Sequence, residues 1–246
     1  MNKSIIIKVG GKILEKRDNI ESTLNQFKSL LSDEMLQKVI IIPGGGSLAD
    51  FVRRIDDKLN IGDHLAHWMA IYAMNHNGIK LCNDFNEVNY TDNYNTLQTF
   101  LQSESENGLF VFLPYDFISQ EDQLPHNWEV TSDSITLYLA YKLKLKECYL
   151  IKDIDGIMIN ENGQEELIKE MTTSDYIKYK NSNRLESMTF GTNKFKKSQP
   201  LDSYLLSLID KTKVSCVILN GIASKSGILE YFDISKTKSS SYTKIY

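Results

Sequence analysis

The 246-residue chain is poor in the features that most directly announce a chemistry. Its cysteines are Cys82, Cys148 and Cys216, odd in number and far apart. That spacing builds neither a disulfide framework nor a zinc site, so they read as buried thiols in a reducing compartment. There is no excess of positive charge: 28 Lys and Arg against 32 Asp and Glu leave a net charge of −4. The basic footprint of a duplex-binding protein is missing, so no nucleic acid is expected as a partner. No apolar run approaches the roughly 18 residues of a spanning helix, so no membrane is expected either. Met1-Asn2-Lys3 leads into a strand-like run without a secretory h-region, and a cytoplasmic location is expected. Repeats, long linkers and a clean domain boundary are absent too. With 41% hydrophobic and 24% charged residues, the chain suits one large α/β domain or a two-lobed one.

Strand and helix signals alternate along it. Ser4 to Val9 is a nearly continuous apolar run ending in two glycines, the pattern of a strand covered on both faces. Val39 to Ile42, Leu109 to Leu113, Cys148 to Ile151 and Val214 to Leu219 repeat that pattern. Between them, Ile20, Leu24, Phe27 and Leu31 recur at helical spacing. Leu48, Phe51, Val52, Ile55 and Leu59 form a second helical stripe, and Leu65, Trp68, Met69, Tyr72 and Ala73 a third. Ser134 to Leu145, Thr173 to Lys180 and Leu201 to Ile209 also read as helices. Residues 84–107 are polar with weak periodicity and read as an irregular surface segment or lid that could include a short helix. The Ser/Thr/Lys-rich tail from Lys236 to Lys244 is expected to order only with ligand. This alternation predicts a mostly parallel sheet with helices on both faces, whose ligands bind at the carboxyl ends of the strands.

Gly10-Gly11 and Gly44-Gly45-Gly46 each follow a buried strand and precede a helix pattern. Glycine lets backbone N–H groups converge on an oxyanion, and a helix start adds positive potential. Either loop alone reads as a tight turn; together at strand ends they favour two phosphate groups. Neither is a P-loop or a GxGxxG turn. Lys8 lies inside the first buried strand, where an ammonium is costly without a partner. Asp133, in Thr131-Ser132-Asp133-Ser134, reads first as part of a helix start, and beside Lys8 as the organiser of a cationic site. In Lys152-Asp153-Ile154-Asp155-Gly156 the Asp-Gly pair signals a hairpin turn, while its place at a strand end leaves a nucleotide role open. His64 and His67 lack a third ligand, so no protein metal site is expected, and His67 reads as structural or pocket-lining. His126-Asn127-Trp128-Glu129 sits in a loop, where aromatics beside polar groups often line pockets. Neither G-x-S-x-G nor H-E-x-x-H is present, which removes support for hydrolase and zinc-peptidase readings.

Ile7-Lys8-Val9-Gly10-Gly11, Pro43-Gly44-Gly45-Gly46, Thr131-Ser132-Asp133-Ser134 and Asp153-Ile154-Asp155-Gly156, in this order and spacing, resemble the amino acid kinase superfamily over nearly the whole chain. Gly44 to Arg53, His67-Trp68-Met69-Ala70-Ile71 and Leu124 to Ser134 are similar to the branch that serves methanofuran assembly. That branch converts an aminomethylfuran phosphate monoester into a diphosphate. Asp50 stands where isopentenyl phosphate kinases carry a His.

The resemblance implies a three-layer αβα sandwich with an acceptor lobe over about residues 1–145 and a nucleotide lobe over about 146–246. It implies ATP as donor, Mg²⁺ carried on the ATP phosphates, a small-molecule phosphate acceptor and a homo-oligomer. Lys8, Asp133 and Lys152 would be catalytic, with Lys194 a further candidate lysine. Gly10, Gly11, Gly44, Gly45 and Gly46 would donate backbone N–H groups. Arg53 would meet the acceptor phosphate, Asp50 or Glu129 its ammonium, and His67 and Trp128 its ring. Lys8, Gly10, Lys152, Asp153, Asp155, Gly156 and Lys194 would serve the nucleotide. Two readings stand beside this one. One is another kinase of the superfamily with an isopentenyl phosphate, uridylate or carboxylate acceptor. The other is a nucleotide-binding store for molybdate or tungstate.

Overall fold

A computed structural model describes residues 4–161, 163–185, 188–189, 197–233, 235 and 239–246. The first half runs β1 (Ser4–Val9), α1 (Gly11–Leu14), α2 (Arg17–Ser32), β2 (Lys38–Pro43), α3 (Gly46–Leu59), α4 (Asp63–Asp84), β3 (Asn89–Thr91), α5 (Tyr94–Gln102), β4 (Gly108–Phe112) and α6 (Tyr115–Glu121). The second half runs α7 (Ser132–Lys142), β5 (Glu147–Lys152), β6 (Ile157–Glu161), β7 (Gln164–Ile168), β8 (Glu170–Met171), α8 (Thr173–Asn181), β9 (Met188–Thr189), β10 (Lys197–Ser198), α9 (Ser203–Thr212), β11 (Ser215–Asn220), α10 (Gly227–Phe232) and β12 (Thr243–Ile245).

Eight strands make one sheet in the order β3-β4-β2-β1-β5-β11-β12-β8, parallel except where β12 runs against β11. The apolar strands have side chains on both faces, so helices must cover both. Ile5, Ile7 and Val9 of β1 join Ile20, Leu24 and Phe27 of α2 in one buried cluster. Ile6 joins Ile135 and Leu139 of α7 and Leu205 of α9 in the other. The result is the expected three-layer αβα arrangement. β1 pairs with β2 on one side and β5 on the other, so the strand order reverses there. Sheets of this kind leave their ligand crevice at that switch point, outside the carboxyl ends.

Helix starts follow local chemistry. Asn93 caps α5 through Thr96 N–H, Asp202 caps α9 through Leu205 N–H, and Thr172 with Asp175 forms a reciprocal capping box on α8.

Several sequence expectations change. Residues 84–107 hold the short helix allowed for, α5, which buries Leu97 and Phe100, but the segment is not an irregular lid: β3 takes the sheet edge. Sparse apolar residues suffice there, because an edge strand and a short helix each have one face to bury. Residues 236–238 of the tail lie outside the described residues, and its end is ordered without ligand, since Thr243–Ile245 lies between β11 and β8 in the central sheet. Asp155-Gly156 is not a hairpin turn; it leads from β5 into a separate sheet, β6 paired with β7. The α3 stripe does not face the core: Val52 is buried, while Leu48, Phe51 and Leu59 are exposed. The three thiols are free and buried, as expected.

Gly78 fixes how closely α4 sits on the sheet. A Cβ there would lie 2.5 Å from Leu113 Cδ2, 3.0 Å from Pro43 Cγ and 3.1 Å from Val111 Cγ1. Alanine normally gains about 1 kcal/mol over glycine within a helix, but overpacking costs about 1–3 kcal/mol. Two of the three neighbours are short, stiff side chains of the sheet, so the steric cost wins. Gly78→Ala is expected to lower the urea midpoint at unchanged m-value, a net loss of about 1 kcal/mol.

Candidate active site

Two glycine loops meet at the switch point. Gly10 N–H donates to Ile151 O and Gly44 N–H to Val9 O, each at 2.8 Å. These two N–H groups therefore knit the loops to the sheet instead of facing an anion, a correction to their expected role as donors. Gly11, Gly45 and Gly46 begin or directly precede helices, where N–H groups have no intrahelical acceptor. A Cβ on Gly11 would lie 2.4 Å from Gly46 Cα, so the loops touch backbone to backbone. Asn77 of α4 donates from Nδ2 to Gly44 O at 2.7 Å and to Gly45 O at 2.9 Å. Glu15 Oε1 accepts from Ser47 N–H at 2.6 Å. The loop carbonyls are thus tied down and its shape is fixed.

Beneath the loops lies a charge cluster. Lys8 Nζ stands 2.9 Å from Asp133 Oδ1, and Lys152 Nζ 2.6 Å from Asp133 Oδ2. Lys152 also donates to Pro200 O at 2.8 Å. Strand pairing puts β1 beside β5, and the first turn of α7 inserts Asp133 between their lysines. Lys8 and Asp133 are 7% and 3% exposed, so the ions interact with little screening by water. Burial alone would raise the Asp133 carboxyl, but the charges of Lys152 and Lys8 overcome it and hold it at about 2. Lys8 is lowered, by burial first and by Lys152, against the pull of Asp133.

A cavity of about 330 Å³ opens on one side of Lys8. Gly11, Gly45 and Gly46 form its floor side, with Arg53, His67 and Trp128 on its walls. Arg53 stacks over the Trp128 ring, 4.5 Å from its centroid, and Trp128 is fixed by donating Nε1–H to Asp56 Oδ2 at 2.8 Å. Among the described residues no carboxylate pairs with Arg53, and its buried Nε has no partner. His67 is buried, stacks on His126 at 5.0 Å and has no partner at Nε2. Burial, then the neighbouring His126, pushes it down to about 4, which makes it neutral near pH 7. A smaller cleft of about 140 Å³ lies on the other side, lined by Lys152, Asp153 and Pro200. The two spaces share Lys8, Gly11 and Lys12. Two ligands placed in them would meet at Lys8.

Residues 3–220 match the sequence profile of the amino acid kinase family. The chain belongs to the amino acid kinase family. It is accordingly an ATP-dependent phosphotransferase. The [5-(aminomethyl)furan-3-yl]methyl phosphate kinase of Methanocaldococcus jannaschii is 32% identical over 152 residues, covering 62% of this chain and 67% of that one. A uridylate kinase of Thermoplasma volcanium is 20% identical over 218 residues, 89% of this chain and 88% of that one. The crystal structure of UMP kinase from Ureaplasma parvum superposes with a TM-score of 0.66 at 17% identity, covering 98% of this chain and 95% of that one. At that identity the likeness concerns the fold alone.

The amino acid kinase fold brings most of the sequence candidates together. Lys8, Asp133 and Lys152 touch, and Asp50, Arg53, His67 and Trp128 line the larger cavity. Glu129 does not: its side chain is exposed outside the cavity and its carbonyl accepts from Tyr204 N–H at 3.3 Å. The cavity's carboxylates are Asp50 and Glu15. Asp153 pairs with Lys12 at 3.0 Å beside the cleft. Asp155 lines neither space; it accepts from Asn220 Nδ2 at 2.7 Å. Gly156 is a folding residue, with φ of +144° and an added Cβ 2.5 Å from Thr243 Oγ1. Lys194 lies outside the described residues. Glu15, Asn77 and Asp202 escaped the sequence reading. Only Asp202 left a signal, a capping residue ahead of the apolar helix Leu205-Leu206.

The Asp133 carboxyl sits below its ordinary value in the folded state, so its stabilisation is present above about pH 4 and is lost as pH falls towards 2. The shift corresponds to about 2 kcal/mol. Urea unfolding at pH 7, 4 and 2.5 is expected to show that loss in the wild type. Asp133→Asn is expected to be less stable at pH 7, by about 3 kcal/mol, because two lysines lose their counter-ion. It is expected to lack this part of the acid dependence.

Proposed function

We propose that this kinase transfers the γ-phosphoryl group of ATP to a phosphate monoester, giving a diphosphate, and that the acceptor is [5-(aminomethyl)furan-3-yl]methyl phosphate. Arg53 carries the reading. Its guanidinium is a cation on the cavity wall with no carboxylate partner among the described residues, braced on a tethered Trp128. A planar fork of this kind suits a phosphate. Asp50 and Glu15 on the same cavity suit an ammonium. An acceptor bearing both a phosphate and an amine uses both ends. Isopentenyl phosphate, uridylate and acetylglutamate leave the carboxylates without a cation. The likeness to the Methanocaldococcus jannaschii kinase supports the same acceptor.

In this reading the acceptor occupies the larger cavity and ATP approaches from the cleft at Lys152. That assigns acceptor binding to about residues 1–145 and nucleotide binding to about 146–246. An oxygen of the acceptor phosphate attacks Pγ in line; the new P–O–P bond forms as the bond to the β-phosphate oxygen breaks, and ADP leaves. The attacking oxygen is already ionised, so no general base is needed. Lys8 neutralises charge on the transferring group, and the N–H groups of Gly11, Gly45 and Gly46 donate to it and to the acceptor phosphate. Asp133 directs both lysines. No cluster of three metal-ligating side chains exists among the described residues. Those residues offer no cage for Mg²⁺, which in this reading would arrive on the ATP phosphates.

Among the described residues no helix is long and apolar enough to cross a membrane. We place the enzyme in the cytoplasm. The exposed Leu48, Phe51 and Leu59 of α3, beside Leu65 and Tyr72 of α4, support a homo-oligomer joined through that face.

Phosphorus NMR with Mg²⁺-ATP and a panel of the furan phosphate, isopentenyl phosphate, uridylate, acetylglutamate and aspartate tests the acceptor. Diphosphate resonances are expected with the furan phosphate alone. Arg53→Ala is expected to raise the acceptor KM about 10- to 100-fold and leave the ATP KM unchanged. Turnover of another acceptor discards the furan assignment. Tight ATP binding with molybdate or tungstate uptake, and no turnover, replaces the kinase reading by oxyanion storage.

A further inference from the structure

The start of α7 is held from far along the chain. Asp202 Oδ2 accepts from Thr131 N–H at 3.0 Å, from the Thr131 hydroxyl at 2.7 Å and from Ser134 N–H at 3.1 Å. Its Oδ1 accepts from the Ser134 hydroxyl at 2.5 Å and from Leu205 N–H at 2.8 Å. Capping α9 needs only the last of these. The other four grip the two residues that bracket Asp133. The same segment reaches the second lysine, because Pro200 O accepts from Lys152 at 2.8 Å.

Thr131 could cap α7 alone, and its oxygen does accept from Asp133 N–H, at a long 3.3 Å. Its hydroxyl proton is committed to Asp202 instead. Thr131 and Asp133 are thereby joined to α9 as one unit. Asp202 also bears on the charges. Two lysines and one carboxylate leave an excess of one positive charge in a site nearly closed to water. Asp202 is the second carboxylate whose charge acts on Lys8, favouring its protonated form. Burial and then Asp133 push the Asp202 carboxyl upward, and its hydrogen bonds oppose that. The buried Tyr176 hydroxyl of α8 also feels both carboxylates: burial, Asp133 and Asp202 push it upward, against a backbone contact at Leu201.

We propose that Asp202 is a positioning residue for phosphoryl transfer, aiming Asp133 at Lys8 and Lys152 through Thr131 and Ser134 and supplying a second negative charge that acts on Lys8. This rests on the kinase reading of the site. It adds a residue that touches neither ligand and acts through Asp133.

The test compares the full-length wild type with Asp202→Asn, Asp202→Glu and Thr172→Ala. Thr172 belongs to the α8 capping box, where its hydroxyl bonds to Asp175 and not to Asp133, and its loss matches a lost cap. Two readouts are needed. One is kcat and KM for both substrates between pH 6 and 10. The other is titration of Lys8 by NMR of the chain labelled at lysine Cε, without acceptor. Asp202→Asn is expected to lower kcat about 10- to 100-fold with KM within about threefold. It is also expected to move the basic limb of kcat and the Lys8 midpoint about one pH unit down. Asp202→Glu is expected to restore the midpoint. Thr172→Ala is expected to lower the melting temperature but keep kcat. A folded Asp202→Asn protein with an unmoved Lys8 midpoint overturns the proposal. So does a Thr172→Ala protein that loses kcat as fully. Should no acceptor turn over, the acceptor reading fails, while the Lys8 titration still decides the role of Asp202.

Discussion

The site depends on one buried carboxylate shared by two lysines. Placing Lys8 on a strand covered on both faces is unfavourable by itself, since an ammonium leaves water at large cost. Asp133 offsets that cost only if it is itself fixed, because a buried ion pair stabilises only with good geometry and its remaining lone pairs satisfied. Three elements supply the geometry. β1 and β5 are hydrogen-bonded neighbours, so their lysines are held side by side. The α7 N-terminus points its positive end at Asp133, which favours the charged form. Lys152 is held by Pro200 O as well, so neither lysine can turn away without losing a partner.

The glycine loops follow from the same constraint. For two ligands to meet at Lys8, the backbones on either side must close to contact over it. Gly11 against Gly46 leaves no room for a Cβ, and a Cβ on Gly44 would sit tightly, 3.0 Å from Val9 O, 3.1 Å from Gly11 N and 3.3 Å from Lys8 Cε. Glycine is thus required by packing at Gly11 and by conformation at Gly46, whose φ is +54°. Gly10 and Gly44 spend their N–H groups on β5 and β1, which holds the loops down so that the following N–H groups stay in place.

What could be read in the sequence was what local chemistry writes down. A lysine in an apolar strand, glycines at strand ends and an aspartate at a helix start were all visible, and they meet as expected. The strands were legible because burial on both faces leaves continuous apolar runs. The α3 stripe misled because periodicity shows that one face is apolar and not what covers it. Glu129 misled because neighbourhood in the chain says little about direction in a loop: Trp128 turns to the cavity and Glu129 to solvent. Glu15 was invisible because its place on the cavity comes from the contact between α1 and α3. Asp202 was half legible. Its capping role is local, but its grip on Thr131 and Ser134 exists only once α9 packs on α7.

The distribution of charge along the larger cavity fits the proposed chemistry. A phosphate nucleophile arrives ionised, so a basic side chain beside Lys8 would serve no proton transfer. His67 is the residue that could have been one, and burial keeps it neutral. Carboxylates next to Lys8 would compete with the acceptor for its charge; the one in contact, Asp133, spends each oxygen on a lysine. Asp50 and Glu15 lie on the cavity without contacting the lysines of that pair, and Glu15 is further occupied by Ser47. The cavity is therefore cationic at the cluster, at Lys12 and at Arg53, neutral at His67 and anionic at Asp50 and Glu15. Such a wall orients a molecule with a phosphate at one end and an ammonium at the other before any reaction takes place, which is the form that catalysis by positioning requires.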